Sequence, residues 1–150
     1  MLTDALLQLS SAQAVTSSAV STNTIDLGVA RDIGVGADLY AVITVDEAAT
    51  ASGSATVNFQ VISSANANLS SANIISQTDA IAKTDLTLAR KPIVICISQA
   101  TLLSLPVGQR YLGVQYTVAT GPLTAGKFSA TITDTEVGVG QYYSSGFSVA

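Results

Sequence analysis

Alternation with a period of two residues constrains this chain more than any other feature. Over residues 56–61, Val57, Phe59 and Val61 point one way while Thr56, Asn58 and Gln60 point the other. Residues 111–118 repeat the pattern, with Leu112, Val114, Tyr116 and Val118 opposed to Tyr111, Gly113, Gln115 and Thr117. In residues 127–133 the inward set is Phe128, Ala130 and Ile132. Only an extended backbone puts alternate side chains on opposite faces, so each segment reads as a half-buried strand with one wet face. Residues 39–45 and 93–97 are almost continuously apolar and β-branched, which suits central strands or a face covered by a neighbouring subunit. Shorter strands are expected at residues 14–18, 24–27 and 74–77.

Turn signals separate these runs: Gly34-Val35-Gly36, Ser52-Gly53, Pro106-Val107-Gly108 and Gly121-Pro122. Each breaks a strand through glycine's permissive φ or proline's missing N–H. Residues 63–71 read as a polar loop. Residues 4–9 and 79–88 have room for no more than a helical turn. About eight short strands without a long helical stretch predict an all-β fold, a jelly-roll-like β-sandwich in a single domain. Its expected divisions are residues 1–13 as an N-terminal arm or lead-in to the first strand, 14–134 as the β domain, and 135–150 as an aromatic tail.

The chemistry available to such a fold is narrow. Among 150 residues there is no histidine, no tryptophan and one cysteine, with six basic and ten acidic side chains. General acid–base catalysis near neutral pH and transition-metal ligation lose their usual residues. The chain is therefore expected not to be an enzyme and to need no cofactor or metal. Charged residues make up 11% of the sequence, under half the ordinary share of about 25%. A surface so poor in charge is expected to be partly covered by other copies or by a partner. The net charge of −4 argues against nucleic acid, which is held by clustered Lys and Arg. Cys96 lies among aliphatics in residues 92–97 and reads as a buried structural thiol. No run reaches the eighteen or so apolar residues that span a bilayer, and the first residues do not read as a cleaved leader.

Three motifs look richer than they are. Residues 121–127, GPLTAGK, fit GxxxxGK, yet Phe128 stands where a phosphate loop needs Ser or Thr, and a strand follows instead of a helix. A hairpin turn is expected there. Gly34-Val35-Gly36 and Gly138-Val139-Gly140 lack the third glycine of a dinucleotide fingerprint. Asp46-Glu47, and Asp134 with Glu136, offer carboxylates without calcium-loop spacing, and read as solvated loop charges. The tail is different, because Tyr142, Tyr143 and Phe147 give three aromatics in six residues, a large apolar area at a chain end.

With strands and loops placed, the sequence resembles the capsid cement proteins of tailed bacteriophages, in particular the Bbp16 family. The resemblance runs through SSAQAVTSSAVSTNTIDLG (residues 10–28), ARDIGVGADLYAVITVD (30–46), SSANANLSS and YLGVQYTVATGPLTAGKFSATI (111–132), and extends to the closing QYYSSGFSVA. It implies a jelly roll that forms homotrimers on the outer surface of the virion's capsid and clamps neighbouring major capsid protein subunits. No nucleic acid and no membrane partner is implied. Leu2, Leu6, Leu7 and Leu9, with Tyr142, Tyr143 and Phe147, are the expected capsid or intersubunit contacts. A carbohydrate-binding jelly-roll module on the virion surface is the alternative. It would use tyrosines as platforms.

Overall fold

Two antiparallel sheets face each other in the computed structural model, which describes residues 4–29, 38–98 and 105–134. The strands are β1 (Gln8–Ala14), β2 (Ala19–Val20), β3 (Ile25–Asp26), β4 (Leu39–Thr50), β5 (Thr56–Ser64), β6 (Asn73–Gln77), β7 (Ile81–Ala82), β8 (Ile93–Ile97), β9 (Tyr111–Ala119) and β10 (Ala125–Thr133). One sheet runs β1-β10-β4-β8 and the other β2-β9-β5-β6. The two-residue β3 joins β9 and the two-residue β7 joins β5. The chain is thus a β-sandwich, and no α-helix occurs among the described residues. Short 3-10 turns occupy Ala5–Leu7 and Lys83–Asp85, inside the two segments where a helical turn was expected.

Alternation decides what each strand buries. Val57, Phe59 and Val61 of β5, Leu112, Val114 and Tyr116 of β9, and Phe128, Ala130 and Ile132 of β10 all lie in one core. Three aromatic rings tie the sheets together at its centre. Phe59 meets Phe128 edge-on at 5.2 Å and Tyr116 edge-on at 5.8 Å, while Tyr116 and Phe128 stack at 5.9 Å. Such arrangements add attraction beyond the area they bury. The Tyr116 hydroxyl shares a 2.5 Å hydrogen bond with Ser10 Oγ, so the one polar atom carried into the core centre is satisfied. Burial pushes the Tyr116 phenol up to about 12, against the lowering effect of that Ser10 bond.

Four expectations are corrected. The first strand is Gln8–Ala14 and not 14–18, and its pairing with β10 ends as Val15 N–H makes one last bond to Gly126 O at 3.0 Å. The apolar run at β8 is not a central strand, since β8 comes last in its sheet's order. Ile93, Ile95 and Ile97 enter the core, whereas Cys96 has the opposite parity and is exposed, not buried. In β4, Ala41 and Ile43 face the core; Val42, on the other face, is only 3% exposed between Thr131 of β10 and Val94 of β8. Finally, residues 120–124 are no hairpin turn, because β9 and β10 belong to different sheets. That connection is pinned by Leu123 N–H to Thr16 O and Thr124 N–H to Thr50 O, at 2.8 and 2.7 Å.

The polar loop between β5 and β6 hides an apolar anchor. Leu69, in a left-handed conformation (φ 57°), is 4% exposed and covers Gly113 of β9. A Cβ at Gly113 would stand 2.3 Å from Leu69 Cδ1. The loop closes on itself through Ser64 Oγ, which donates to Ser70 O at 2.7 Å and accepts from Asn66 N–H at 3.0 Å. It is a built lid over one sheet face.

Candidate functional site

Of the seven contact residues expected from sequence, Leu2, Tyr142, Tyr143 and Phe147 lie outside the described residues. The structure separates the other three. Leu9 is fully buried in the core, so it belongs to the sandwich and is not presented to another molecule. Leu7 is half-buried at the core's margin. Leu6 is 83% exposed on the 3-10 turn, and its position is fixed. Asp4 Oδ1 accepts the Leu6 N–H at 2.9 Å, and Asp4 O accepts the Leu7 N–H at 3.0 Å. The turn therefore holds one leucine out and the next one in.

Leu7 leads to a cavity. At one end of the sandwich the described residues do not close over the core, leaving a cavity of about 280 Å3. Its apolar lining comes from Leu7, Ile25, Leu27, Leu39, Leu112 and Ile132. These side chains sit where β3 and β4 begin, where β9 begins and where β10 ends. Asp4, Thr133 and Asp134 complete the wall. Leu7, Ile25, Leu27 and Leu39 are only partly buried while packing against the core, so the described residues cover the core incompletely here. Val29, two residues beyond Leu27, is exposed as well. Neither Asp4 nor Asp134 was singled out with this cavity from sequence. The available signal was a set of leucines and isoleucines at strand ends, all but Leu112 within three residues of an aspartate.

Beside the cavity, Asp26 and Arg110 form a bidentate pair at 2.6 and 2.8 Å. Arg110 also lies over the Tyr111 ring, 5.1 Å from its centroid. The guanidinium, helped by the Gly28 N–H, holds the Asp26 carboxyl down at about 2. Arg110 O accepts the Leu27 N–H at 3.0 Å. The pair thus fastens the β3 segment, which supplies two cavity residues, to the start of β9. Of the other acidic candidates Glu136 lies outside the described residues, while Asp46 Oδ2 accepts from Ser129 Oγ at 2.6 Å and Glu47 meets Lys127 at 2.7 Å. Among the described residues there is no group of three or more His, Cys, Asp or Glu side chains that could hold a metal ion.

The Bbp16 family matches residues 9–132. The chain belongs to the Bbp16 family. No curated protein matches it. The Bbp16 match begins at the buried Leu9 of β1 and ends at Ile132 of β10, so it takes in both sheets and five of the six aliphatic cavity residues. Leu7, Asp4, Thr133 and Asp134 flank it on either side, as does the aromatic tail.

The outward faces of this Bbp16-family sandwich are poor in charge. On the β2-β9-β5-β6 sheet, Gln60 Nε2 donates to Gln77 Oε1 at 2.7 Å and Gln60 Oε1 accepts from Thr117 Oγ1 at 3.1 Å. Asn58 Nδ2 donates to Thr78 O at 2.8 Å on the same strand face. On the other sheet the outward side chains between Tyr40 and Thr44, and those of Val94 and Cys96, carry no charge. Amide and hydroxyl groups bonded to one another leave fewer donors and acceptors for a sugar. Of the tyrosines proposed as sugar platforms, Tyr116 is buried and Tyr111 already carries Arg110 over its ring.

Proposed function

We propose that this chain is a structural cement protein of a tailed-bacteriophage head, binding as a homotrimer to the outer surface of the assembled capsid and stabilising contacts between major capsid protein subunits. Membership of the Bbp16 family and the cement-protein resemblance support the setting. The strand pairing supports a jelly roll. Strands equally far from the middle of the chain pair in turn, β1 with β10, β2 and β3 with β9, β4 with β8, and β5 with β6 and β7. Successive pairs fall in alternate sheets, which is how a long hairpin rolls into a double Greek key.

One observation carries the functional reading: the described residues leave the core open at one end, beside a leucine held out in solvent. An incompletely covered apolar end forgoes hydrophobic burial, which seating against a capsid subunit would restore. A subunit that binds the assembled lattice and not its dissociated pieces lowers the free energy of the lattice by mass action. Joining three such subunits lets weak single contacts act at high effective concentration, raising retention by about 10² to 10⁴ over one contact.

The test is sedimentation of the purified chain with expanded heads lacking it, alongside light scattering of the free protein. Expected results are a trimeric mass, co-sedimentation, and heads that survive higher temperature when decorated. A monomer that stays in the supernatant rejects the proposal. Retention is expected to change little with moderate salt, since apolar packing is not screened.

A further inference from the structure

The two flanks of the sandwich are finished differently. Along one, β1 and β2 take up each other's edges. Asn23 donates its N–H to Leu9 O at 2.8 Å and its Nδ2 to Gln8 O at 3.2 Å. Gln13 reaches from β1 to the β2 segment, its Oε1 accepting the Thr22 N–H at 3.0 Å and its Nε2 donating to Val20 O at 2.8 Å. Along the other flank, β6 comes last in its sheet and pairs with β5 alone. Alternate residues of such a strand turn their N–H and C=O away from the sheet. Among the described residues no other backbone group bonds to that side of β6. Resting on the cement reading, we propose that this edge takes an extended strand of the major capsid protein, which continues the β2-β9-β5-β6 sheet by one strand.

Sheet edges are ordinarily blunted by charge, proline or a bulge. Asn73-Ile74-Ile75-Ser76-Gln77 contains neither charge nor proline. It does bulge, because Val61 faces Ser76 and Ile62 faces Ile74, which leaves Ile75 over. Ile75 turns into the core, so the bulge bends the edge and limits the addition to a short segment. Ile74 is 49% exposed and offers an apolar neighbour to a side chain of the incoming strand. With no charge between Asn73 and Gln77, an uncharged segment fits best, in keeping with retention that changes little with salt. Only another extended backbone presents donors and acceptors at the spacing of this edge. Two β6 edges of separate copies would meet about a twofold axis and stop at a dimer, whereas the cement reading needs a trimer. The capsid is therefore the source of the strand.

Amide hydrogen exchange reports backbone pairing directly, and is measured on the full-length protein free and bound to expanded heads. Amides of residues 73–77 that exchange quickly in the free protein are expected to slow by about tenfold or more on heads. Ile74→Lys puts a gatekeeping charge on the edge. It is expected to weaken head binding about tenfold, the size of losing one or two net backbone hydrogen bonds, while the free variant melts as the wild type does. Ile74→Val keeps a β-branched side chain and is expected to bind like the wild type. Equal exchange at β6 in free and head-bound protein overturns the proposal, and so does undiminished binding by Ile74→Lys. Slow exchange at β6 in the free protein that quickens on dilution also overturns it, assigning the edge to a second copy. Wild-type binding with β6 unprotected sinks the added strand alone, whereas wild-type failure to bind heads sinks the cement reading and the strand with it.

Discussion

The middle of the sandwich and its open end are made of the same residue types and are finished differently. In the middle, Phe59, Tyr116 and Phe128 interlock across the sheets, fully buried, with the single hydroxyl among them bonded to Ser10. At the open end, Leu7, Ile25, Leu27 and Leu39 stop half-buried around a cavity rimmed by aspartates. A fold that packs its centre to completion has no difficulty doing so elsewhere. The difference teaches that burial is complete in the middle and only partial where the described residues leave one end of the core uncovered.

The comparison breaks first at its largest contrast. Phe59→Ala removes a ring that touches both other aromatics, and is expected to cost about 3–5 kcal/mol. Leu39→Ala at the cavity wall should cost far less, ~1–2 kcal/mol, since much of its surface is already wet. Urea unfolding of both variants at one protein concentration measures the two costs. Similar losses would mean that the open end is as tightly built as the middle.

The next effect belongs to the middle alone. Tyr116 titrates near 10 when unfolded and is pushed up to about 12 by burial when folded. A raised value favours the protonated form of the folded state. Its contribution is whole below about 10 and is lost as pH rises from there through about 12, by roughly 2–3 kcal/mol. Tyr116→Phe should show a shallower alkaline decline, at the cost of leaving Ser10 Oγ without that partner. Stability measured across this range for both proteins checks the slope. Parallel declines would show that Tyr116 is already ionisable in the folded chain.

Gly113→Ala probes the lid, which shares features of both regions. The new methyl would meet Leu69 Cδ1 at 2.3 Å, so Leu69 must leave its site or β9 must shift. Overpacking of this kind costs about 1–3 kcal/mol. Adding Leu69→Ala should return part of the loss by removing the clash, which a double-mutant cycle reads directly.

Much of the architecture was legible because alternation is a local signal. Val57, Phe59 and Val61 announce their face within six residues, and β9 and β10 were placed to within two residues of their ends, whereas β4 runs five residues past its expected end. Where the reading failed, the missing information was non-local. β8 looks central because Ile93 to Ile97 is apolar throughout, and only the sheet order shows that one face bears the exposed Cys96. Residues 121–127 look like a hairpin because nothing in a turn reveals that its flanking strands lie in different sheets. Leu69 was counted as part of a polar loop, its burial depending on a glycine 44 positions away. The cavity gathers Leu7, Leu39, Leu112 and Ile132 from four separate stretches, so only the fold assembles it.

The smallest effect sharpens the comparison from the open end. Arg110 and Gly28 hold the Asp26 carboxyl down at about 2, against an ordinary value near 3.8. A lowered value favours the ionised form of the folded state, so its contribution is present above about 3.8 and fades as pH falls through about 2. Both side chains are exposed, and added salt should shrink the effect. Asp26→Asn is expected to flatten the acid limb slightly, with little change at neutral pH. The more telling readout is hydrogen exchange. Asp26 and Arg110 fasten the strand that brings Ile25 and Leu27 to the cavity, and Leu27 donates its N–H to Arg110 O. In Asp26→Asn the Leu27 amide should exchange faster while amides of β5 around Phe59 keep their protection. If both regions loosen together, the sandwich opens as one unit, and the open end has no independence to offer a partner.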